Sequence, residues 1–330
     1  MSKKNLQVGG QAVIEGVMMR AQDAYAVAVR RRDGSIFVRK QPYISLIRKY
    51  KMMSWPIFRG AVVLIESVVL GVKALSFSGD IAMEDEKRKN ENNHDGKYPV
   101  PQQKGLVAKV WLTITVLLSF VIGLFIFFYV PLILTDLLGT KTGFMFNLID
   151  GILRLAIFLS YLFAITLMKD IRRIFEYHGA EHKSIFAFER NKNLIPTEAK
   201  LLSRFHPRCG TSFLLIVMIV SIIVFMFLGK PLDLSDRLFR LAFIPLIGGL
   251  SYELIRLSDT RSKKAFWTPF ILPGLWLQRI TTKEPDESQL EVAIVALKCA
   301  LGMEVSGHRN VVFEGQPSPQ AAGIKSQILS

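Results

Sequence analysis

Uncharged apolar runs alternate with densely basic stretches along the chain, and the runs are long enough to be membrane crossings. The hydrocarbon core of a bilayer takes about 20 helical residues. Four segments reach or approach that length. Val110–Leu134 and Thr211–Leu228 carry no charge, and Ile152–Met168, preceded by Phe146–Gly151, carries only Arg154. Leu238–Leu257 has Arg240, Glu253 and Arg256 near its ends. Two further segments are apolar but interrupted: Ala61–Ser78 contains Glu66 and Lys73, and Phe266–Leu277 is broken by Pro269, Pro273 and Gly274. Both fit interfacial or re-entrant pieces better than simple spans. The pattern predicts an α-helical polytopic membrane protein with about four transmembrane helices.

The polar segments organise the remainder. Residues 1–60 form a small β-rich region, in which AYAVAVRR and SIFVRK flank Asp33-Gly34, a two-residue hairpin signal. Ahead of them GGQAVIEGVMMR reads as another strand, and the spacing of Gly9, Gly10 and Gly16 is not a dinucleotide fingerprint. Residues 61–82 are an amphipathic or re-entrant membrane helix. Residues 83–105, rich in charge, Asn and Pro, read as a disordered linker that contains His94. The membrane domain covers 106–260 and holds a polar loop, 169–210. In 261–302, Asp286 caps a helix with Gln289 at its third position, and Leu290, Ile294, Leu297 and Leu301 recur at helical spacing. Residues 303–330 are a tail whose end, from Gly315, looks disordered.

Charge decides the orientation. The formal net charge is +15, with 21% of residues charged and 50% hydrophobic. The Lys and Arg residues concentrate before the first span, in the 169–210 loop and after the fourth span. The first-to-second connection carries only Lys141, and the third-to-fourth only Lys230 and Arg237. The positive-inside rule places both termini and the middle loop in the cytoplasm of a multi-pass protein. The excess charge is thereby absorbed by topology and calls for no nucleic-acid partner. Membrane lipids and proteins on the cytoplasmic side are the expected partners. Cys209 and Cys299 suggest no disulfide framework, and no cleaved targeting segment is read at the N-terminus.

Candidate chemistry gathers in the middle loop, which holds three of the five histidines. If the second span continues as a helix through Asp170–Glu189, then Ile171, Ile174, Phe175, His178, His182 and Ile185 share one stripe. Glu176 and Lys183 fall on the opposite face, and Glu181 sits at the edge of the stripe. Imidazoles four residues apart on a helix can converge on one ion. In HPRCGTS, at the same membrane face, His206 supplies the third ligand and Cys209 is a further candidate; Glu253 is a weaker one. A divalent ion, zinc first, with an open position lowers the pKa of a bound water toward 7. Glu181 would then act as general base. The competing interpretation is two structural histidines bonded to backbone carbonyls, with Glu181 solvated. Cys209 as a nucleophile has no support, because the sequence offers no argument for a lowered thiol pKa.

His-x-x-Glu-His also resembles the inverzincin metallopeptidase motif over five residues, too short a match to make the chain a peptidase. VGGQAVIEGVMMR, EYHGAEHK, HPRCGTSF, SYELIR and PGLWLQRITTKEPDESQLEVAIVAL together resemble the bacterial YqhQ family, over nearly the whole chain. The resemblance implies an integral membrane protein of the bacterial inner membrane, described as a predicted metal-dependent enzyme, a description that fits His178, Glu181, His182 and His206. Two functions from different classes follow: a metal-dependent, hydrolytic enzyme at the cytoplasmic membrane face, or a non-catalytic scaffold binding cytoplasmic partners. A transporter fits less well, since no inverted repeat joins the two-span units.

Overall fold

The computed structural model describes residues 8–56, 58–91, 106–140, 142–260, 268–305 and 310–314. Four strands, β1 (Gly9–Val13), β2 (Gly16–Arg20), β3 (Ala24–Arg30) and β4 (Ile36–Pro42), form an antiparallel meander. A fifth, β5 (Val311–Phe313), pairs parallel with β4, so the strand order is β1-β2-β3-β4-β5. The helices are α1 (Leu46–Lys49), α2 (Phe58–Glu91), α3 (Leu106–Leu124), α4 (Val130–Leu137), α5 (Gly143–Thr166) and α6 (Lys169–Glu189), then α7 (Pro196–Lys200), α8 (Gly210–Met226), α9 (Leu234–Ala242), α10 (Ile244–Thr260), α11 (Thr268–Thr281) and α12 (Glu287–Ala300).

The sheet is buried on both faces because its strands alternate between two apolar layers. Val17, Met19, Ala26, Ala28, Ile36 and Val38 meet α6 and α12. Val13, Met18, Val27, Val29 and Phe37 meet Leu70, Ala74, Phe77 and Ile81 of α2. The result is three layers: α2, sheet, and the α6–α12 pair. An apolar helical bundle adjoins it, with α8 packed among α5, α10 and α11.

Several expectations need correction. GGQAVIEGVMMR is two strands joined by the turn Ile14-Glu15, with Glu15 at φ +53°. The Glu15 carboxylate is gripped by Arg173 and accepts from the Tyr177 hydroxyl. The β3–β4 turn is a three-residue loop, closed by Arg31 N–H to Ser35 O (2.8 Å), with Gly34 at φ +82°. The expected linker begins later than residue 83, since α2 runs to Glu91; the rest of it, with His94, lies outside the described residues. The tail contributes β5, and residues 315–330 lie outside the described residues.

Helix α12 has the expected capping box between Asp286 and Gln289. It is not amphipathic, however: Leu290 and Val292–Leu297 are all buried, because sheet, α6 and α7 surround it. The second span does not continue into the histidine helix, because Met168 is extended and α6 starts afresh. Phe266–Leu277 is helical from Thr268, with Pro273 inside α11; residues 266–267 lie outside the described residues.

Among the described residues, four helical segments are long and apolar enough to cross a membrane: Phe58–Arg88, Thr113–Leu137, Gly143–Thr166 and Leu234–Leu257. The membership differs from the expected four, since Thr211–Leu228 yields the shorter α8, Gly210–Met226. Ala61–Ser78 lies inside the unbroken α2, so it does not reverse as a re-entrant piece would. Yet the sheet occupies α2 from Leu70 onward. Residues 58–69 cover only about 18 Å at 1.5 Å per residue, short of a hydrocarbon core of about 30 Å. The bundle also buries charge: Arg154 pairs with Asp150 at 2.8 Å, and Arg240 donates to Asn147 Oδ1 at 2.7 Å.

Candidate metal centre

The loop between α11 and α12 presses onto α6 beside His178, and Gly179 is what permits it. A Cβ there would stand 2.1 Å from the Lys283 carbonyl oxygen. With only hydrogen at that position, Lys283 N–H reaches Phe175 O at 2.8 Å. The Thr281 carbonyl comes to lie 2.8 Å from His178 Nδ1. One turn on, His182 Nδ1 is 2.5 Å from the Arg204 carbonyl. A carbonyl oxygen only accepts, so each Nδ1 carries the proton and donates it. Each Nε2 is thereby the ring nitrogen turned into the site, the arrangement by which an outer hydrogen bond orients a metal-ligating imidazole.

Those nitrogens converge on sulfur. Cys209 is the residue before α8, and its buried Sγ lies 3.2 Å from His178 Nε2 and 3.1 Å from Thr211 Oγ1. The two histidine rings are 4.5 Å apart between centroids. One ligand atom from each of His178, His182 and Cys209 falls within 4.8 Å of the other two. Around tetrahedral zinc, bonds of about 2.1 Å to nitrogen and 2.3 Å to sulfur put ligand atoms roughly 3.3–3.6 Å apart. A small contraction closes the set.

The electrostatics agree with a ligand role. Burial by itself would raise the Cys209 thiol, but the imidazoles of His178 and His182 hold it well below its ordinary value. Burial opposes protonation of His178, yet the Cys209 sulfur and then Glu181 push it up to about 9. The contact that lowers the thiol also raises the imidazole, and a proton held between them is what an entering ion would displace. The lowered thiol is a property that spacing alone could not reveal.

Glu181 is buried, not solvated. Desolvation raises its carboxyl, opposed by His178 and His182. Its carboxylate lies against the main chain of Gly10 in β1, which favours the charged form. A Cβ at Gly10 would come within 3.0 Å of the Glu181 carboxyl carbon and 2.7 Å of Met18 O, so only glycine lets strand and carboxylate meet.

His206 and Glu253 stand apart from this group. His206 Nε2 is 3.2 Å from Glu189, its Nδ1 accepts Arg208 N–H at 3.2 Å, and Gln278 clamps its main chain on both sides. Its ring lies 5.7 Å from that of His182, with both nitrogens engaged. Glu253 makes a forked pair with Arg59 of α2. Lys183 is also not on a solvated face: it is buried, bonded to Lys200 O (2.7 Å) and Glu284. Glu176 accepts from Gln289 Nε2 at 3.0 Å. From Tyr177 to Phe188, α6 has neighbours nearly all round, and a one-stripe reading fails there.

Gly10, Gly179, Thr281 and Gln278 serve this centre with no chemical signal of their own. Only the two glycines stand out in the sequence, and nothing there says what approaches them.

A family model described as a protein of unknown function (DUF1385) matches residues 55–303. The chain is 34% identical over 315 residues to the uncharacterized protein YqhQ of Bacillus subtilis (strain 168), an alignment covering 92% of this chain and 94% of that protein. No solved structure matches the chain.

Proposed function

The chain belongs to the DUF1385 family, and from that premise we propose that it is a membrane-associated metalloprotein whose centre is His178, His182 and Cys209. The observation that carries this reading is the pair of Nδ1–H bonds to Thr281 O and Arg204 O, which leaves two Nε2 atoms facing one thiolate. A mixed set of two imidazoles and one thiolate suits zinc among divalent ions. Such an ion supplies Lewis acidity and a nucleophile at neutral pH. Glu181, buried against Gly10, accepts the proton, which makes hydrolysis the best-supported reaction class. A thiolate buried this deeply suits a ligand better than a nucleophile. His206, with its nitrogens engaged, orients the loop that presents Arg204 O and Cys209.

The basic clusters support a centre at the cytoplasmic face of the bacterial inner membrane, with both termini cytoplasmic. Protein bound there meets lipid headgroups and cytoplasmic partners. The non-catalytic scaffold has an observation in its favour as well: both histidines bond backbone carbonyls, as structural histidines would, and Glu181 turned in as a fourth ligand would close the centre.

Metal analysis of detergent-purified protein, with cobalt substitution, tests the proposal. We expect one equivalent of metal, a cobalt–thiolate charge-transfer band, and loss of both in Cys209→Ser and His182→Ala. Metal-free wild type that takes up no cobalt would sink the reading. Glu181→Gln with full metal content separates the two classes, since a closed structural centre should lose affinity whereas an open one keeps it.

A further inference from the structure

Among the described residues the sheet ends at β1, and no further strand pairs with that edge beside the centre. Ile14 and Glu15 form a two-residue turn, so Val13 and Gly16 are a hydrogen-bonded pair, and bonded pairs alternate from there. Gly9 and Gln11 therefore bond to β2, while Gly10 and Ala12 direct their main-chain groups outward. The Gly10 main chain faces the Glu181 carboxyl, and beyond the strand Ile14 N–H donates to Ser78 Oγ at 3.3 Å. The Gly10 carbonyl and both main-chain groups of Ala12 bond to no described residue.

Helices border the edge on both sides. Gln11 Nε2 reaches Ser67 O of α2 at 3.1 Å, and Glu15 reaches Tyr177 of α6. Residues 9–12 are only partly buried. Folded proteins close such edges with proline, charge or a bulge, and Gly-Gly-Gln-Ala-Val has none of these. What satisfies a carbonyl, then an N–H and a carbonyl two residues on, is another extended main chain. A lipid headgroup or a free phosphate has no such alternation.

We infer that β1 is a docking edge for an extended polypeptide, added as a sixth strand. The inference rests on the metal-centre reading for its consequence, which is that the substrate class of the centre is a polypeptide segment. Because Gly10 both lies on the edge and adjoins the Glu181 carboxyl, a chain seated there passes next to the proton acceptor. Its main chain supplies affinity, and alternate side chains facing α6 supply selectivity.

The test is to pan full-length protein in detergent against a randomised decapeptide library and then N-methylate the enriched peptides. Methylating alternate residues in one phase is expected to weaken binding by about tenfold or more, as loss of main-chain bonds requires, and in the other phase to change it little. Ala12→Pro is expected to weaken binding similarly at unchanged metal content. Failure to enrich any peptide, or equal effects of both methylation phases, overturns the docking edge whatever the Ala12→Pro protein does. Cys209→Ser distinguishes the two proposals. Peptides that bind it normally while wild type proves metal-free support the edge and remove the centre; metal bound with no peptide captured does the reverse.

Discussion

Two glycines determine how close the centre's parts can come. Gly179 carries the α11–α12 loop on its bare Cα, and the Thr281 carbonyl that orients His178 belongs to that approach. Gly179→Ala forces a methyl group against the Lys283 carbonyl. It should cost about 1–3 kcal/mol, as overpacking does, seen as a lower melting temperature, together with weaker metal binding as Thr281 is carried off His178. Unchanged values of both would detach the loop from the centre. Glu189 makes a second residue-scale prediction. Burial raises its carboxyl, but the His206 hydrogen bond and then Arg208 outweigh this and hold it below the ordinary 4.5. A carboxyl with a depressed folded value contributes stability that is present above the ordinary value and lost as pH falls through the folded one. Glu189→Gln should therefore lower the melting temperature at pH 7 and shrink the acid-side loss. Parallel wild-type and mutant curves below pH 4.5 would refute it.

At the scale of elements, α6 and α12 show how packing overrides periodicity. A helix with one neighbour displays an apolar stripe, but these two have sheet, loop and helices around them. Lys183 is buried with its charge bonded to Glu284 and a carbonyl, a contact that no count at 100° per residue would place. What the local sequence did specify was the start of α12. Asp286 accepts Gln289 N–H at 2.8 Å and Gln289 Oε1 accepts Asp286 N–H at 3.0 Å, as the spacing predicted. Asp286→Ala should cost about 1 kcal/mol through loss of the cap, measured by thermal unfolding in detergent. Because α12 carries one wall of the sheet core, no change would mean that tertiary packing alone fixes its first turn.

For the whole molecule, α2 is the member that joins sheet and bundle. Its first residues lie against α10, where a Cβ on Gly60 would come 2.9 Å from Gly249, and its later turns cover the sheet through Leu70, Ala74, Phe77 and Ile81. The centre lies between these two bodies, with Cys209 at the mouth of α8 and Gly10 on β1. The expected topology follows from the basic loops: green fluorescent protein fused at either terminus should fluoresce, and alkaline phosphatase fused there should be inactive. Active phosphatase at the C-terminus would reverse the assignment and move the centre to the opposite face.

The apolar runs, the basic loops, the cap at Asp286 and the pairing of His178 with His182 were legible because each depends on neighbours within a turn or on composition. Which residue completes the pair was not. Sequence spacing favoured His206 over Cys209, and the tertiary structure reverses the order: Gln278 and Glu189 engage His206, while the start of α8 aims Cys209 at the two Nε2 atoms. The roles of Gly10, Thr281 and Lys183 were hidden for the same reason. Each is defined by a partner about a hundred or more residues away, and contacts of that separation are set by how layers stack, which no local pattern encodes.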